Sequence, residues 1–271
     1  MKKKVIAGIL LGVSIFGLGN SIYLTNKYNN VKDNILNQQA VLSVLWQQES
    51  AEVKALRLQA YNMAKENIDQ LINENKMPKN PAVVLDLDET VMDNIPAGAY
   101  QITSNKGYNH EDFTEWTGKA ECKEIEGASD FINYAKSKGV EIFFVSNRSP
   151  EEMSSTIDNL KKLNIEVPQE NILLKEKSSN KGERFDKIKE NYEIIMYVGD
   201  NAGDFGGEYS KKSNEERSQL VLDSKDEMGV KYIALPNPTY GDFEGAMYGY
   251  DFSKSNDEKV KIKNELLKPF K

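Results

Sequence analysis

Histidine and cysteine are nearly absent from this chain: His110 and Cys122 are its only two in 271 residues. A single cysteine cannot close an intramolecular disulfide, so the fold must rest on its packed core and on any bound metal. Cys122 reads as an unreactive thiol, and His110, in the polar stretch GYNHEDF, as a surface loop residue. One histidine leaves too little for a Ser-His-Asp triad, a His-rich zinc or two-metal site, or a histidine nucleophile with supporting histidines. Nor is there a long basic stripe. The 35 basic residues are outnumbered by 42 acidic ones, for a net charge of −7, which argues against a polynucleotide partner. Any chemistry must run on carboxylates, lysine and hydroxyls.

Long apolar runs are also lacking, except at the start. There MKKKVIAGILLGVSIFGLG sets three lysines before an apolar and glycine run from Val5 to Gly19. Residues 1–24 read as an export signal, either cleaved or kept as an anchor, because no clear small-x-small cleavage site follows. The remainder is expected outside the cytoplasm, touching membrane only through that segment if it stays uncleaved.

Residues 25–80 read as an N-terminal helical segment, with Leu56, Ala60, Met63, Ala64, Ile68 and Leu71 spaced to lie on a core. The prolines of NKMPKNP break it. From 81 to 271 short apolar strands alternate with amphipathic helices: AVVLDL, VEIFFV, NILLK, IIMYV and KYIALP, with Ser149 and Pro150 opening one helix and Gly139 closing another. Continuously apolar strands separated by helices predict an α/β, doubly wound parallel sheet. Ligands bind such sheets beyond the carboxyl ends of the strands. The residues there are Asp86, Asp88 and Thr90; Ser146, Asn147 and Arg148; and Asp200 with Asp204 in GDNAGD.

Several aspartates sharing one sheet edge need a cation to offset their repulsion, and an all-oxygen donor set suits Mg2+. A cation held there attracts phosphate. Of two acids one residue apart, Asp86 can face the metal and a phosphorus atom while Asp88 faces the leaving group. Lys181, in SSNKGERF, can add fixed positive charge for phosphoryl oxygens, and Ser146 can donate to the same oxygens, with Thr90 and Asn147 alongside.

Together, VVLDLDETVMDN, FFVSNR, KSSNKGERF and VGDNAGDFG resemble the class C acid phosphatases of the haloacid dehalogenase superfamily. The likeness extends to ESAEVKALRLQAYNMA before the core and LPNPTYGDFEGA after it. It implies a haloacid dehalogenase-like core with a small cap at about 94–126, and an exported, magnesium-dependent phosphomonoesterase acting on small phosphomonoesters, nucleoside 5'-monophosphates among them. By motif, Asp86 would be nucleophile and metal ligand, and Asp88 acid/base and ligand through its carbonyl. Asp200 would ligate metal with Asp204 beside it, and Ser146 and Lys181 would hold phosphate. Trp116, in FTEWTGKAE, and Tyr240, in NPTYGD, resemble the pair of rings that stack on substrate, while Tyr100, Tyr108 and Phe113 read as the cap's own core. Many members carry a lipid-attachment cysteine after the signal, and this chain has none. A phosphotransferase sharing the aspartyl intermediate, and a surface binding protein that kept the fold without turnover, are the competing readings.

Overall fold

The computed structural model describes residues 35–271. The expected signal at 1–24 and the start of the helical segment lie outside the described residues.

Five parallel strands form the central sheet: β1 (Pro81–Leu85), β4 (Glu141–Val145), β5 (Ile172–Leu173), β6 (Glu193–Gly199) and β7 (Tyr232–Ala234), in the order β5-β4-β1-β6-β7. The chain leaves β1 toward β4 and β5, then crosses back to add β6 and β7 on the other side. The strand order therefore reverses between β1 and β6, where open sheets of this kind bind ligands. Registration is tight there: Leu85 lies opposite Phe144 on one side and Val198 on the other, and the Asp86 N–H donates to Val198 O at 3.0 Å. The residues that follow these three strands emerge side by side.

Side chains alternate across the sheet with a period of two. Val83, Leu85, Ile142, Phe144, Met196 and Val198 enter the larger core, covered by α2 (Ala51–Asn73), α5 (Ala128–Ser137) and α6 (Met153–Lys162). Val84, Phe143, Val145 and Tyr197 face the other way, against α7 (Gly182–Lys189), α8 (Asn214–Asp223) and the aromatic turn of Phe205 and Tyr209. Both faces are covered, which is the doubly wound arrangement expected from the apolar strands.

Among the described residues, the N-terminal segment is two helices. A helix over 35–49, here α1, stops at Ser50, whose hydroxyl accepts the N–H groups of Glu52 and Val53 and caps α2. The face that α2 buries keeps Ala60, Ala64 and Ile68 of the expected stripe and departs from it at Leu56. Leu56 is 43% exposed, whereas Val53, Arg57, Ala60, Tyr61, Ala64 and Ile68 are buried. The displacement follows from Arg57, whose guanidinium is drawn inward to bind Glu126 at 2.7 Å and Gln47 at 2.8 Å. Gln47 in turn donates to Pro236 O at 2.9 Å, so both helices are tied to the loop after β7.

Between β1 and α5 the chain forms an insertion: a two-stranded antiparallel ribbon of β2 (Met92–Asp93) and β3 (Lys123–Glu124), with α3 (Ile95–Thr103) and α4 (His110–Gly118) between its strands. Tyr100 and Tyr108 do not form its core, since both are exposed, Tyr108 to 68%. Short helices bury little, and Ile95, Ala97 and Thr117 fill the space beneath them instead. His110 is on the surface as expected, but at the start of α4 rather than in a loop.

The corrected face of α2 has a measurable consequence. Ile68→Ala should cost about 2–5 kcal/mol in urea unfolding, because it opens a cavity in the larger core. Leu56→Ala should cost less than about 1 kcal/mol. Similar losses from the two would mean that Leu56 packs inward.

Candidate active site

The turn after β1 begins with Leu87, whose carbonyl accepts the N–H groups of Val91 and Met92, each at 2.8 Å. Closing so tight a turn forces Glu89 to a φ of 58°, a conformation costly for a residue with a side chain. Glu89 is buried, and one carboxylate oxygen accepts the Asn94 N–H at 2.7 Å. Burial first, then the charges of Asp88 and Asp200, push its pKa well up, which favours a proton on its unpartnered oxygen. Tyr61 of α2 pins the same turn, its hydroxyl donating to Thr90 O at 2.5 Å.

Asp86, Asp200 and Asp204 each offer a carboxylate oxygen within 4.8 Å of the others. Three elements bring them there: the end of β1, the end of β6 and the short turn Ala202–Asp204. Asp204 Oδ2 accepts the Asn201 N–H at 2.9 Å, folding the side chain back over Gly199. A Cβ at Gly199 would lie 2.2 Å from that oxygen, so the position requires glycine. Lys181 Nζ bridges two of the acids, 2.5 Å from Asp86 Oδ1 and 2.6 Å from Asp204 Oδ1. Burial disfavours its charge, but Asp204 and Asp86 outweigh that effect and hold the ammonium protonated. Asp200 accepts from Thr90 Oγ1 at 3.2 Å and Asn237 Nδ2 at 2.8 Å.

One ammonium does not balance three buried carboxylates. Burial, with Asp204 and Asp88 nearby, lifts Asp86 to about 7 despite Lys181, and Asp200 is pushed well above the usual carboxylate range by burial and its two acidic neighbours. Such a cluster takes up protons or a hard dication. Its all-oxygen donors fit a divalent metal that prefers oxygen.

Asp88 is turned away from this cluster. Its Oδ1 accepts from Arg148 Nε at 2.9 Å and Asn94 Nδ2 at 2.7 Å, and it is ion-paired with Arg148 Nη2 at 2.8 Å, which makes no hydrogen bond of its own. Its Oδ2 has Ser146 Oγ 3.5 Å away. Arg148 is only 2% exposed and also donates to Thr156 Oγ1 at 3.0 Å. Sequence reading noted Arg148 at its strand end without giving it a task. Its place close after a strand end, in a segment already marked by Ser146, was the only signal, and its burial is seen only in the structure.

Asn147 sits at the rim, its carbonyl oxygen held by Arg184 Nη2 at 2.8 Å, and Arg184 Nη1 donates to Ser146 O at 2.6 Å. Arg184, two residues beyond the KG of SSNKGERF, is a second cation beside the site that sequence reading passed over. Trp116 is half-buried against the larger core, and its Nε1 donates to Asn94 Oδ1 at 2.9 Å. Tyr240 is 45% exposed, and no ring contact joins it to Trp116 among the described residues. Cys122 is buried and its thiol pushed up to about 11 by burial, which agrees with an inert sulfur.

Comparison with known proteins matches this geometry to a family. The profile of "HAD superfamily, subfamily IIIB (Acid phosphatase)" fits residues 20–243. Two crystal structures of the class C acid phosphatase from Bacillus anthracis superpose with a TM-score of 0.84 at 40% identity. The one with tungstate bound covers 88% of this chain and 100% of its own, and the other 87% and 99%. A stem 31 kDa glycoprotein of Glycine max is 24% identical over 176 residues, and the match spans 62% of each chain. With the acid cluster and its lysine at the end of a five-stranded parallel sheet, the chain belongs to the class C acid phosphatases of the haloacid dehalogenase superfamily and is a phosphomonoesterase.

Proposed function

We propose that the enzyme is an exported, magnesium-dependent phosphatase that hydrolyses nucleoside 5'-monophosphates and related phosphomonoesters through an aspartyl phosphate on Asp86. The observation that carries this reading is the Lys181 bridge between Asp86 and Asp204, with Asp200 in reach. It leaves a nucleophilic carboxylate, a fixed cation and a dication site at one strand end. The tungstate bound to the Bacillus anthracis relative supports a place here for a tetrahedral oxyanion.

Asp86, Asp200, Asp204 and the Asp88 carbonyl would hold Mg2+, which when bound supplies positive charge against the phosphoryl oxygens. Lys181 and Ser146 donate to those oxygens, and Thr90 orients Asp200. An Asp86 oxygen attacks phosphorus as the ester P–O bond breaks, and the departing alkoxide takes a proton from Asp88. Water then attacks the aspartyl phosphate, giving its proton to Asp88 and releasing phosphate and free Asp86. The insertion over about 94–126 acts as the cap. Trp116 from the cap and Tyr240 from the loop after β7 stack on a planar leaving group, with loose selectivity among bases.

The raised pKa of Asp86 sets the sign of a metal test. Its folded value of about 7 exceeds the ordinary 3.8, so the stability linked to its proton is present below pH 3.8 and lost as pH rises to about 7. Magnesium competes with that proton. In EDTA-treated protein, the Tm gain on adding Mg2+ should be small near about pH 4.5 and grow toward about pH 7.5. A gain independent of pH would count against these acids as the ligands.

Asp86→Asn should abolish phosphoenzyme formation with every ester. Asp88→Asn should lower kcat/KM for an alkyl phosphate by roughly 10²-fold or more, yet spare 4-nitrophenyl phosphate, whose leaving group hardly needs a proton. Equal losses on both esters would remove Asp88 as the acid.

Export and base stacking can be read in one assay. Intact cells should hydrolyse added AMP, and Tyr240→Ala should lower the AMP to glycerol phosphate efficiency ratio by roughly 5- to 100-fold, the range of one lost stacking contact. Activity appearing only after lysis would refute export, and an unchanged ratio would refute the clamp.

A further inference from the structure

The insertion reaches the acid Asp88 through the buried side chain of Asn94. Its amide has donors on one side and acceptors on the other. The carbonyl oxygen accepts from Trp116 Nε1 at 2.9 Å and Cys122 Sγ at 3.1 Å. The indole N–H can only donate, and the buried thiol keeps its proton. The amino group donates to Asp88 Oδ1 at 2.7 Å and Met92 O at 3.3 Å, and a backbone carbonyl can only accept. A flipped amide would set donor against donor and acceptor against acceptor. Its orientation is therefore decided by its partners, the criterion by which amide ends are told apart.

This has a consequence for Asp88. Oδ1 receives two N–H donors, one from Asn94 and one from Nε of Arg148, and lies 2.8 Å from Nη2 of the same guanidinium, which cannot lose its proton. A proton on Oδ1 would point into those donors. Oδ2 faces only Ser146 Oγ, at 3.5 Å. We infer that Trp116 and Asn94 are positioning residues that reserve Oδ2 of Asp88 as the one oxygen able to carry the transferable proton. The edge of the cap indole thereby acts on the acid, whatever its face does for the substrate. Removing the indole N–H leaves the Asn94 carbonyl oxygen held by the weak Cys122 thiol donor, so the amide's grip on Asp88 Oδ1 slackens and the carboxyl group loses its single productive orientation.

The inference rests on Asp88 being the general acid, and the test separates the two. The full exported chain, loaded with Mg2+, is assayed for kcat/KM on glycerol phosphate and 4-nitrophenyl phosphate, normalised to the phosphoenzyme burst so that only folded, active protein is counted. Trp116→Phe keeps a ring and removes the N–H. The glycerol to nitrophenyl ratio should fall about 3- to 10-fold, part of the effect of losing general acid catalysis outright. Lost stacking alone would move that ratio the other way, because it weakens the aryl ester. Asn94→Asp replaces the amino group with a second acceptor, and the same ratio should fall about tenfold or more. A normal ratio in Trp116→Phe, with Asp88→Asn still selective for the good leaving group, overturns the positioning role. Loss of that selectivity in Asp88→Asn overturns the acid assignment itself. Should Asn94→Asp give no burst, Trp116→Phe decides alone.

Discussion

Everything at this strand end depends on one ammonium placed between carboxylates. Lys181 comes from the segment before α7, Asp86 from the end of β1 and Asp204 from the short turn after β6, so the bridge to Asp86 ties together parts of the chain 95 residues apart. In water such pairs contribute little, but here all three groups are withdrawn from solvent and none can be removed without leaving an uncompensated charge. The cluster still carries more negative charge than Lys181 can offset. That excess suits the site to a dication that prefers oxygen.

Asp86 and Asp88 are separated by one residue and live in different surroundings. Asp86 shares its space with two other acids and a lysine. Asp88 has a private cation, Arg148, and an amide. Asp86 faces into the acid cluster, whereas Arg148 and Asn94 hold Asp88 toward the insertion. Two carboxylates can then take different parts in one reaction, because the partners around each differ.

Support for the turn comes from distant sequence. Tyr61 holds Thr90 O from α2, and Arg57 and Gln47 bind both N-terminal helices to the loops around the site. A segment that reads as packing alone is thus part of what keeps the turn in place. It has no reacting group, yet the carbonyl of Thr90 would otherwise lack its phenol donor.

The sequence by itself determined the fold class and the identity of the acids. Continuously apolar strands between amphipathic helices can only be buried in a covered parallel sheet, and polar residues at their carboxyl ends must then gather at one edge. Asp86, Asp200 and Asp204 were legible for that reason, and Lys181 only through the company of the other segments. Pairings that depend on side chains meeting across the fold were not. Nothing local distinguishes Arg148, buried on Asp88, from Arg184 at the rim, or shows that Asn94 lies between Trp116 and the acid. Leu56 departed from the inward stripe of α2 for a related reason. Helical periodicity counts apolar residues, and it does not show that Arg57 next to it is buried on Glu126 and Gln47 while Leu56 stays in solvent. Composition and spacing govern which surfaces are buried, but only the three-dimensional arrangement decides which donor meets which acceptor, since a hydrogen bond depends on direction and distance rather than on residue type.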